Sequence, residues 1–224
     1  ICGIIYTARL VSQVFGRCPI ALCATCAIDG CGKMSLQANI FPYGIRKNKR
    51  KEKDGGSVMK EIFQRVSIRK YSGKPVEQEK TEQLLRAAMA APSAMDKRPW
   101  HLIVIKDREL LKKITAFHPY ASMLTEADYA ILVCGDFRQE EKIGYLAING
   151  AAATENILLE AVSQGLGACW LGIYPREERM EAISKLIGLP EYIVPLTLIS
   201  VGYPAEEKTQ EERYDESRIR YDRW

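Results

Sequence analysis

The sequence predicts a central β-sheet covered by helices, formed by residues 59–224. After Met59, segments typical of helices and strands follow in the order helix, helix, strand, helix, strand, long helix, strand, helix, strand. This order indicates helices packed in layers on one sheet. The composition agrees with a globular protein, because the 224 residues are 47% hydrophobic and 27% charged. The sequence contains no apolar run of about 18 residues, so we expect no membrane span.

The first four elements are predicted from apolar spacing and from end signals. A short helix is expected over residues 60–66 and a longer one over residues 77–91, which Pro92 follows. The short apolar run HLIVI at residues 101–105 predicts a buried strand. Asp107 can cap the next helix, in which apolar residues recur at helical spacing.

The middle of the chain continues the same alternation. Residues 129–134 (YAILVC) predict a second buried strand. Residues 141–164 predict the longest helix, and the small residues on its apolar face allow close packing. A third strand is expected at residues 168–173, and a further helix begins near Pro175 and ends at Gly188.

The last predicted strand covers residues 194–201. The residues after it, 205–224, are charged and contain aromatic side chains but no apolar periodicity that could form a core. We expect this tail to dock on a second subunit.

Charge and histidine content exclude several classes of function. Residues 1–58 contain nine Lys or Arg and three Asp or Glu, a net charge of +6, which leaves −2 on the other residues of a total of +4. Without a basic stripe on that larger part, binding to nucleic acid is not expected. The two histidines, His101 and His118, are expected to be structural and offer little material for a multi-histidine metal site or Ser-His-Asp catalysis.

Five of the seven cysteines precede residue 32. Four of them, Cys18, Cys23, Cys26 and Cys31, have the spacing C-x4-C-x2-C-x4-C. The first three match the spacing of plant-type iron–sulfur ferredoxins, and the same four thiolates could instead hold zinc. The rest of the chain is typical of a reduced, cytoplasmic protein.

Residues 1–58 are nevertheless expected to hold no metal and to take no part in the fold. They show no sustained periodicity, and a charge run at residues 46–53 precedes Gly55 and Gly56. Codons for two glycines can spell a ribosome-binding sequence, and these lie just ahead of Met59. The predicted division is therefore an N-terminal extension at 1–58, either translated upstream sequence or an added segment, and a domain at 59–224.

The segment RVSIR at residues 65–69 is the first candidate for a ligand site. If its backbone is extended, Arg65, Ser67 and Arg69 project from one side. Two guanidinium groups and a hydroxyl in that arrangement suit a phosphate and a polyhydroxyl chain.

Two further clusters contain polar and glycine residues. One is the loop APSAMDKRPW at 91–100, and the other is GLGACWLGIYP at 165–175. The second is not a dinucleotide-binding motif, because Trp170 stands where G-x-G-x-x-G requires glycine. For Trp170, Cys134 and Cys169 we expect core packing and no redox role.

Together with VGYPAEE at 201–207 and RYDESR at 213–218, these clusters resemble, in the same order, the FMN-dependent nitroreductase family. The resemblance covers nearly all of residues 59–224 and none of residues 1–58. It implies an α+β fold with a central, mainly antiparallel sheet flanked by helices. It also implies a homodimer that binds FMN at the subunit interface.

Within this resemblance, Arg65, Ser67 and Arg69 correspond to the first flavin-binding motif. Arg65 lies towards the phosphate and ribityl end, and Arg69 lies near the pyrimidine edge of the ring. Arg213 is similar to a C-terminal basic residue that closes over the phosphate. Cations at both ends suit FMN, because reduction adds negative charge near N1 of the ring.

The loop residues Pro92, Ser93 and Ala94 resemble the segment that the partner subunit lays against the flavin. Asp96 and Arg98 stand where family members commonly have Asn and Gln. An aspartate accepts hydrogen bonds but does not donate them as an amide does.

The residues Leu171, Gly172 and Ile173 resemble the stretch whose backbone N–H approaches flavin N5. Because the flavin itself performs the redox step, no catalytic side chain is expected. The implied activity is a ping-pong reduction with NAD(P)H as co-substrate. The nicotinamide gives a hydride to N5 and leaves, and a nitroaromatic, a quinone or a similar small acceptor takes its place.

Other functions fit the same residues. A flavin reductase or a reductive dehalogenase would share the fold. Outside the enzymes, the protein could be a non-catalytic FMN-binding module, or an electron acceptor fed by an iron–sulfur segment at residues 18–31.

Overall fold

The computed structural model describes residues 59–224, and the cysteine cluster at residues 18–31 lies outside them. The helices of the described part are α1 (Lys60–Gln64), α2 (Gln78–Met89), α3 (Arg108–Phe117), α4 (Ile143–Ser163) and α5 (Glu177–Ile187). The strands are β1 (Trp100–Ile105), β2 (Tyr129–Asp136), β3 (Gly167–Gly172) and β4 (Ile193–Gly202). Every predicted element is present in the predicted order, and the observed ends differ by at most a few residues.

The four strands form one antiparallel sheet in the order β1-β2-β4-β3. Helices cover both faces of it, because successive side chains of a strand point to opposite faces. Leu132 and Cys134 of β2 pack in the cluster that contains α3 and α5 residues. Ile131 and Val133 pack in the cluster that contains α2 and α4 residues. The predicted α+β fold with a central antiparallel sheet is therefore confirmed.

Burial along the strands differs from the prediction in two places. The central strand β2 is buried along its whole length, as predicted. The strand β1 was also predicted to be buried, but His101 is exposed and residues 102–104 are half-buried. An apolar run does not reveal that its strand lies at a sheet edge, where neighbours pack on one side only. Trp170 was expected in the core, yet it is 36% exposed on the edge strand β3, whereas Cys134 and Cys169 are buried as predicted.

The close approach of α4 to the sheet depends on Gly150. A Cβ atom at this position would lie 2.5 Å from Cδ1 of Leu196 in β4. Carbon atoms in contact normally lie about 3.5 to 4 Å apart, so a larger residue would force the side chain of Leu196 or the helix to move. The small residues of α4 therefore have the packing role that the sequence predicts.

Two helix ends follow the predicted signals. Oδ1 of Asp107 accepts hydrogen bonds from the N–H groups of Glu109 (2.8 Å) and Leu110 (3.0 Å), and so caps α3. Gly188 ends α5 with a φ of +75°, in the left-handed region that glycine adopts without steric cost. Across residues 59–224, none of the helices combines the length and apolar character needed to cross a membrane.

Replacing Asp107 with Ala should lower the free energy of unfolding by about 1 kcal/mol, because two N–H groups of α3 lose their acceptor. The variant Asp107→Asn keeps an acceptor oxygen and should retain most of that stability. Urea denaturation followed by circular dichroism measures both variants. Equal stability of the Ala and Asn variants would contradict the capping role.

Candidate functional site

Residues 65–69 run as an extended segment along the outer edge of β3. The N–H of Ile68 donates to the carbonyl oxygen of Ala168 (3.1 Å), and Ser67 forms a parallel bridge with Ala168. The segment therefore continues the sheet by one short pairing beyond β3.

This pairing determines which side chains face outward. Val66 and Ile68 pack against the core. Because an extended backbone alternates its side chains, Arg65, Ser67 and Arg69 project the other way. We call these three residues the arginine ridge. Their one-sided arrangement is the geometry that the sequence predicts for an extended segment.

Glu206 holds the backbone of the ridge in place. Its Oε1 accepts hydrogen bonds from the N–H groups of Arg69 (2.6 Å) and Lys70 (3.2 Å). The same oxygen accepts from Nζ of Lys208 (2.8 Å), and this contact is the main cause of the lowered pKa of Glu206. Nζ of Lys208 also donates to the carbonyl oxygen of Ser67 (3.3 Å). Lys208 could not be predicted as a third cation at the ridge, because Ser67, which it contacts, lies far away along the chain and no local sequence pattern indicates the contact.

Positive charge predominates at the ridge. Nε of Arg65 lies 3.6 Å from Oε1 of Glu155 on α4, which is a long ion pair. Within residues 59–224, Arg69 forms no ion pair and its guanidinium group contacts only the carbonyl oxygen of Ser67 (3.4 Å). The ridge can therefore offer charge to an anionic ligand.

The strand beside the ridge ends in an open stretch of backbone. Leu171 and Ile173 are buried, and Gly172 between them is half-buried. A Cβ atom on Gly172 would meet no atom within 4 Å. Cys169 lies deeper, where burial raises the pKa of its thiol and favours a neutral, structural group. No set of three or more His, Cys, Asp or Glu side chains in the described part of the chain is arranged to hold a metal ion.

Two side chains converge on the carbonyl oxygen of Gly172. Nε2 of His118, at the end of α3, lies 3.1 Å from it, and Nη1 of Arg179 in α5 donates to it at 2.8 Å. The N–H of Tyr120 donates to Nδ1 of His118 (3.3 Å), so the ring proton is on Nε2. Burial lowers the pKa of His118 and favours this neutral form. Neither contact could be predicted from the sequence, because both depend on tertiary packing.

The loop between α2 and β1, residues 91–99, adopts an unusual backbone shape. Met95, Asp96 and Arg98 have φ angles of 53°, 54° and 49°. Such left-handed conformations cost non-glycine residues of order 1 to 3 kcal/mol each and persist where the surroundings hold them.

Hydrogen bonds from the loop and from α4 hold this shape. Oγ of Ser93 accepts from the N–H of Arg98 (2.9 Å), and Oδ1 of Asn149 accepts from the N–H of Ala94 (3.2 Å). Nδ2 of Asn149 is buried and has no partner within residues 59–224. Pro92 lies exposed at the start of the loop.

Two charged residues of the loop, Asp96 and Arg98, pair with each other. Nε and Nη2 of Arg98 donate to the two carboxylate oxygens of Asp96 at 2.7 and 2.5 Å. The hydrogen bond from Arg98 lowers the pKa of Asp96. Next to them, Nζ of Lys97 lies 2.8 Å from Oε2 of Glu140. The loop thus carries a charge pair at the two positions where the resemblance implies amides.

The C-terminal arm, residues 205–224, brings Arg213 beside α1. Arg213 lines a surface cavity together with Ile62 and Phe63 of that helix. With its amide oriented to donate, Gln210 reaches the carbonyl oxygens of Phe63 (2.8 Å) and Ile62 (3.1 Å). The arm thus places a further cation beside the helix that directly precedes the ridge.

The loop and the ridge lie at opposite edges of the sheet. The loop leads into β1, whereas the ridge flanks β3. Three strand spacings of about 4.8 Å separate these edges, a distance of about 14 Å. Within one chain, the structure therefore brings the ridge and residues 171–173 together and places residues 92–98 elsewhere.

Comparison with known proteins identifies the family. Residues 62–203 match the model of the Nitroreductase family. A protein of Methanothermobacter thermautotrophicus, provisionally named NADH dehydrogenase/NAD(P)H nitroreductase, is 44% identical over 167 residues, which are 75% of this chain and 87% of that protein. The chain belongs to the nitroreductase family, and the family predicted from its motifs is confirmed.

Solved structures agree with this assignment. A crystal structure from Bacteroides thetaiotaomicron with the same provisional name is 46% identical, with a TM-score of 0.72 over 76% of this chain and 100% of that one. A structure of an FMN-dependent nitroreductase from Clostridium difficile is 27% identical, with a TM-score of 0.69 over 75% of this chain and 100% of that one. The two proteins share the fold described above.

The ridge rests on β3 at Gly167, and adding a methyl group there should displace it. A Cβ atom on Gly167 would lie 2.7 Å from Cγ2 and 2.8 Å from Cβ of Ile68. Gly167→Ala should lower the free energy of unfolding by about 1 to 3 kcal/mol, the usual cost of overpacking. Urea denaturation measures the change.

The matched control is Gly144→Ala, where an added Cβ meets nothing within 4 Å. It should be neutral or stabilising, because alanine favours the helix more than glycine does. A Gly167→Ala protein as stable as this control would show that the ridge is not held against β3.

Proposed function

We propose that residues 59–224 form an FMN-dependent NAD(P)H oxidoreductase that reduces nitroaromatics, quinones or similar small acceptors. The Methanothermobacter relative is named an NADH dehydrogenase/NAD(P)H nitroreductase, and the Clostridium structure an FMN-dependent nitroreductase. These names and the family confirm the class of activity and the cofactor predicted from the sequence.

The observation that most supports the proposal within this chain is the arginine ridge beside the open end of β3. The ridge supplies charge and a hydroxyl group along an extended line. The backbone at Gly172 supplies an accessible surface at the end of the neighbouring strand. A ligand with an anionic end and a flat end fits that combination.

The residues present fit FMN in each of its parts. Its phosphate carries about −1.5 to −2 charges at pH 7, and Arg65 and Arg213 are cations that can bind it. The Ser67 hydroxyl can hydrogen-bond a polyhydroxyl chain. The space above Gly172 lets a flat ring approach the backbone closely, which a side chain there would prevent.

The roles of the site residues follow from their chemistry. When bound, FMN supplies the hydride relay between NAD(P)H and the acceptor. Arg65 and Arg213 hold the phosphate, and Arg69 stabilises negative charge at the ring edge. The buried side chains of Leu171 and Ile173 fix the end of β3 from behind, so that its backbone borders the ring.

In this proposal a second copy of the chain completes each site. The loop of one chain lies at the sheet edge opposite its own ridge, so a symmetric pair can bring each loop to the ridge of the other chain. The C-terminal arm also exposes large aromatic side chains, since Tyr214 is 70% and Tyr221 80% exposed. Aromatic surface of this kind is usually covered at an interface.

A cytoplasmic location belongs to the same proposal. Cys134 and Cys169 are free and buried. Free thiols are typical of proteins that work in a reducing compartment.

Removing the first ridge arginine should weaken FMN binding by more than tenfold. A charge-assisted contact to phosphate contributes about 1.5 to 3 kcal/mol, which Arg65→Ala would lose. Arg86→Ala is the control, because it removes an exposed cation from α2 and should leave the affinity unchanged. Fluorescence titration of the flavin-free protein measures both. Equal affinities of the two variants would count against the assignment of Arg65.

A mixed dimer tests whether ridge and loop of one site come from different chains. One chain has Arg65→Ala and the other has Ala94→Trp, a bulky residue in the loop, and different affinity tags allow purification of the mixed form. Each homodimer should bind little FMN, whereas the mixed dimer keeps one intact site and should bind roughly half the wild-type amount. Mixed dimers that bind no more FMN than the homodimers would indicate that each chain builds its site alone.

A further inference from the structure

The carbonyl oxygen of Gly172 accepts two side-chain hydrogen bonds, which restrict the motion of this glycine. Glycine has more backbone freedom than any other residue, and Gly172 is the last residue of β3. Yet His118 and Arg179, from two different helices, both donate to its single carbonyl oxygen, at 3.1 and 2.8 Å. Two donors on one oxygen restrict the rotation that the missing side chain would otherwise permit.

The strand geometry indicates where the N–H of Gly172 points. The carbonyl oxygen of Ala168 faces the outer edge of β3, because it accepts the N–H of Ile68 there. Backbone groups of alternate residues point to the same edge, so those of Gly172 also face outward. The carbonyl oxygen at that edge accepts from His118 and Arg179, and none of the loop, turn or side-chain hydrogen bonds found in residues 59–224 uses the N–H of Gly172.

Both donors are themselves fixed. His118 is 1% exposed, and its backbone N–H donates to the carbonyl oxygen of Ile114 (3.1 Å). Arg179 lies in the first turn of α5, with its guanidinium group 5.8 Å from the ring centre of Tyr120. The two side chains therefore form a rigid support for the carbonyl group of Gly172.

We propose that His118 and Arg179 are positioning residues that hold Gly172 so that its N–H is presented to the flavin ring, an inference that rests on the proposed function. A glycine leaves the face of the strand open to the ring, but alone it would leave the donor mobile. The two side chains restore the rigidity through the carbonyl oxygen of the same residue. The result is a donor that is both accessible and preorganised, which is the condition under which such groups assist a reaction.

A purely structural role makes a different prediction. If the two contacts only fasten α3 and α5 to the sheet, their loss should change stability and leave the bound flavin unaffected. The positioning role predicts a change at the flavin itself, and also a change in the motion of Gly172 before any flavin binds.

The experiment compares four variants of the purified chain. His118→Leu and Arg179→Met each remove one donor, whereas His118→Gln keeps an N–H group that can reach the carbonyl. Arg176→Met is the matched control, because it removes an exposed cation three residues from Arg179. The first readout is the NMR order parameter of the Gly172 amide without flavin. The second is the ¹⁵N chemical shift of N5 in labelled FMN bound to the protein.

In the wild type, His118→Gln and Arg176→Met proteins, the order parameter should be about 0.85, the value of rigid backbone. In His118→Leu and Arg179→Met it should fall below about 0.6, the range of flexible backbone. The N5 shift of these two variants should move towards that of a flavin without an N–H donor. Reduction by NAD(P)H should slow by about tenfold or more, as expected when a reacting group is misplaced.

Unchanged order parameter and N5 shift in folded His118→Leu and Arg179→Met would overturn the inference. If His118→Leu does not fold, the comparison of Arg179→Met with Arg176→Met decides. A wild-type protein that binds no FMN would overturn the proposed function instead, and the inference about flavin positioning would fail with it. The order parameter without flavin would still show whether the two side chains hold Gly172, which distinguishes the two failures.

Discussion

The pairing of residues 65–69 with the outer edge of β3 is the interaction on which the candidate site depends. One backbone hydrogen bond, from Ile68 to Ala168, and the packing of Ile68 over Gly167 join this segment to the sheet. Because an extended chain alternates its side chains, burying one set forces the arginine ridge outward. The charge needed for an anionic ligand is thus placed along the outer edge of the sheet, with Arg69 exposed and Arg65 half-buried.

The same framework holds the two proposed parts of the site apart within one chain. Glu206 binds two backbone N–H groups and Lys208, and so fixes the ridge without neutralising Arg69. Hydrogen bonds also hold the loop at the opposite sheet edge. The charges of its paired residues Asp96 and Arg98 cancel each other. The ridge and the loop are therefore two separate, fixed segments of each chain, and the proposed symmetric dimer would bring them together.

Local signals were enough to predict the elements but not the contacts between distant ones. The order of the helices and strands, and most of their ends, could be predicted from apolar spacing, the Asp107 cap and the glycine after α5. The alternation of side chains along an extended backbone predicted which way the ridge residues project. The exposure of β1 and of Trp170 could not be predicted, because apolar runs look alike at the edge and the centre of a sheet. The contact of His118 with Gly172 spans 54 residues and that of Lys208 with Ser67 spans 141, so only the folded chain reveals them. The family followed from several motifs in one order, while the roles of individual site residues are still predictions.

The visible absorption spectrum of the purified chain, titrated with FMN under anaerobic conditions, tests most directly whether this framework binds a flavin for redox chemistry. We expect a bound flavin whose absorption bands disappear when NAD(P)H is added and return when a quinone or nitroaromatic is supplied. A chain that takes up no FMN at any concentration, or whose bound FMN nicotinamides cannot reduce, would contradict the proposed enzyme.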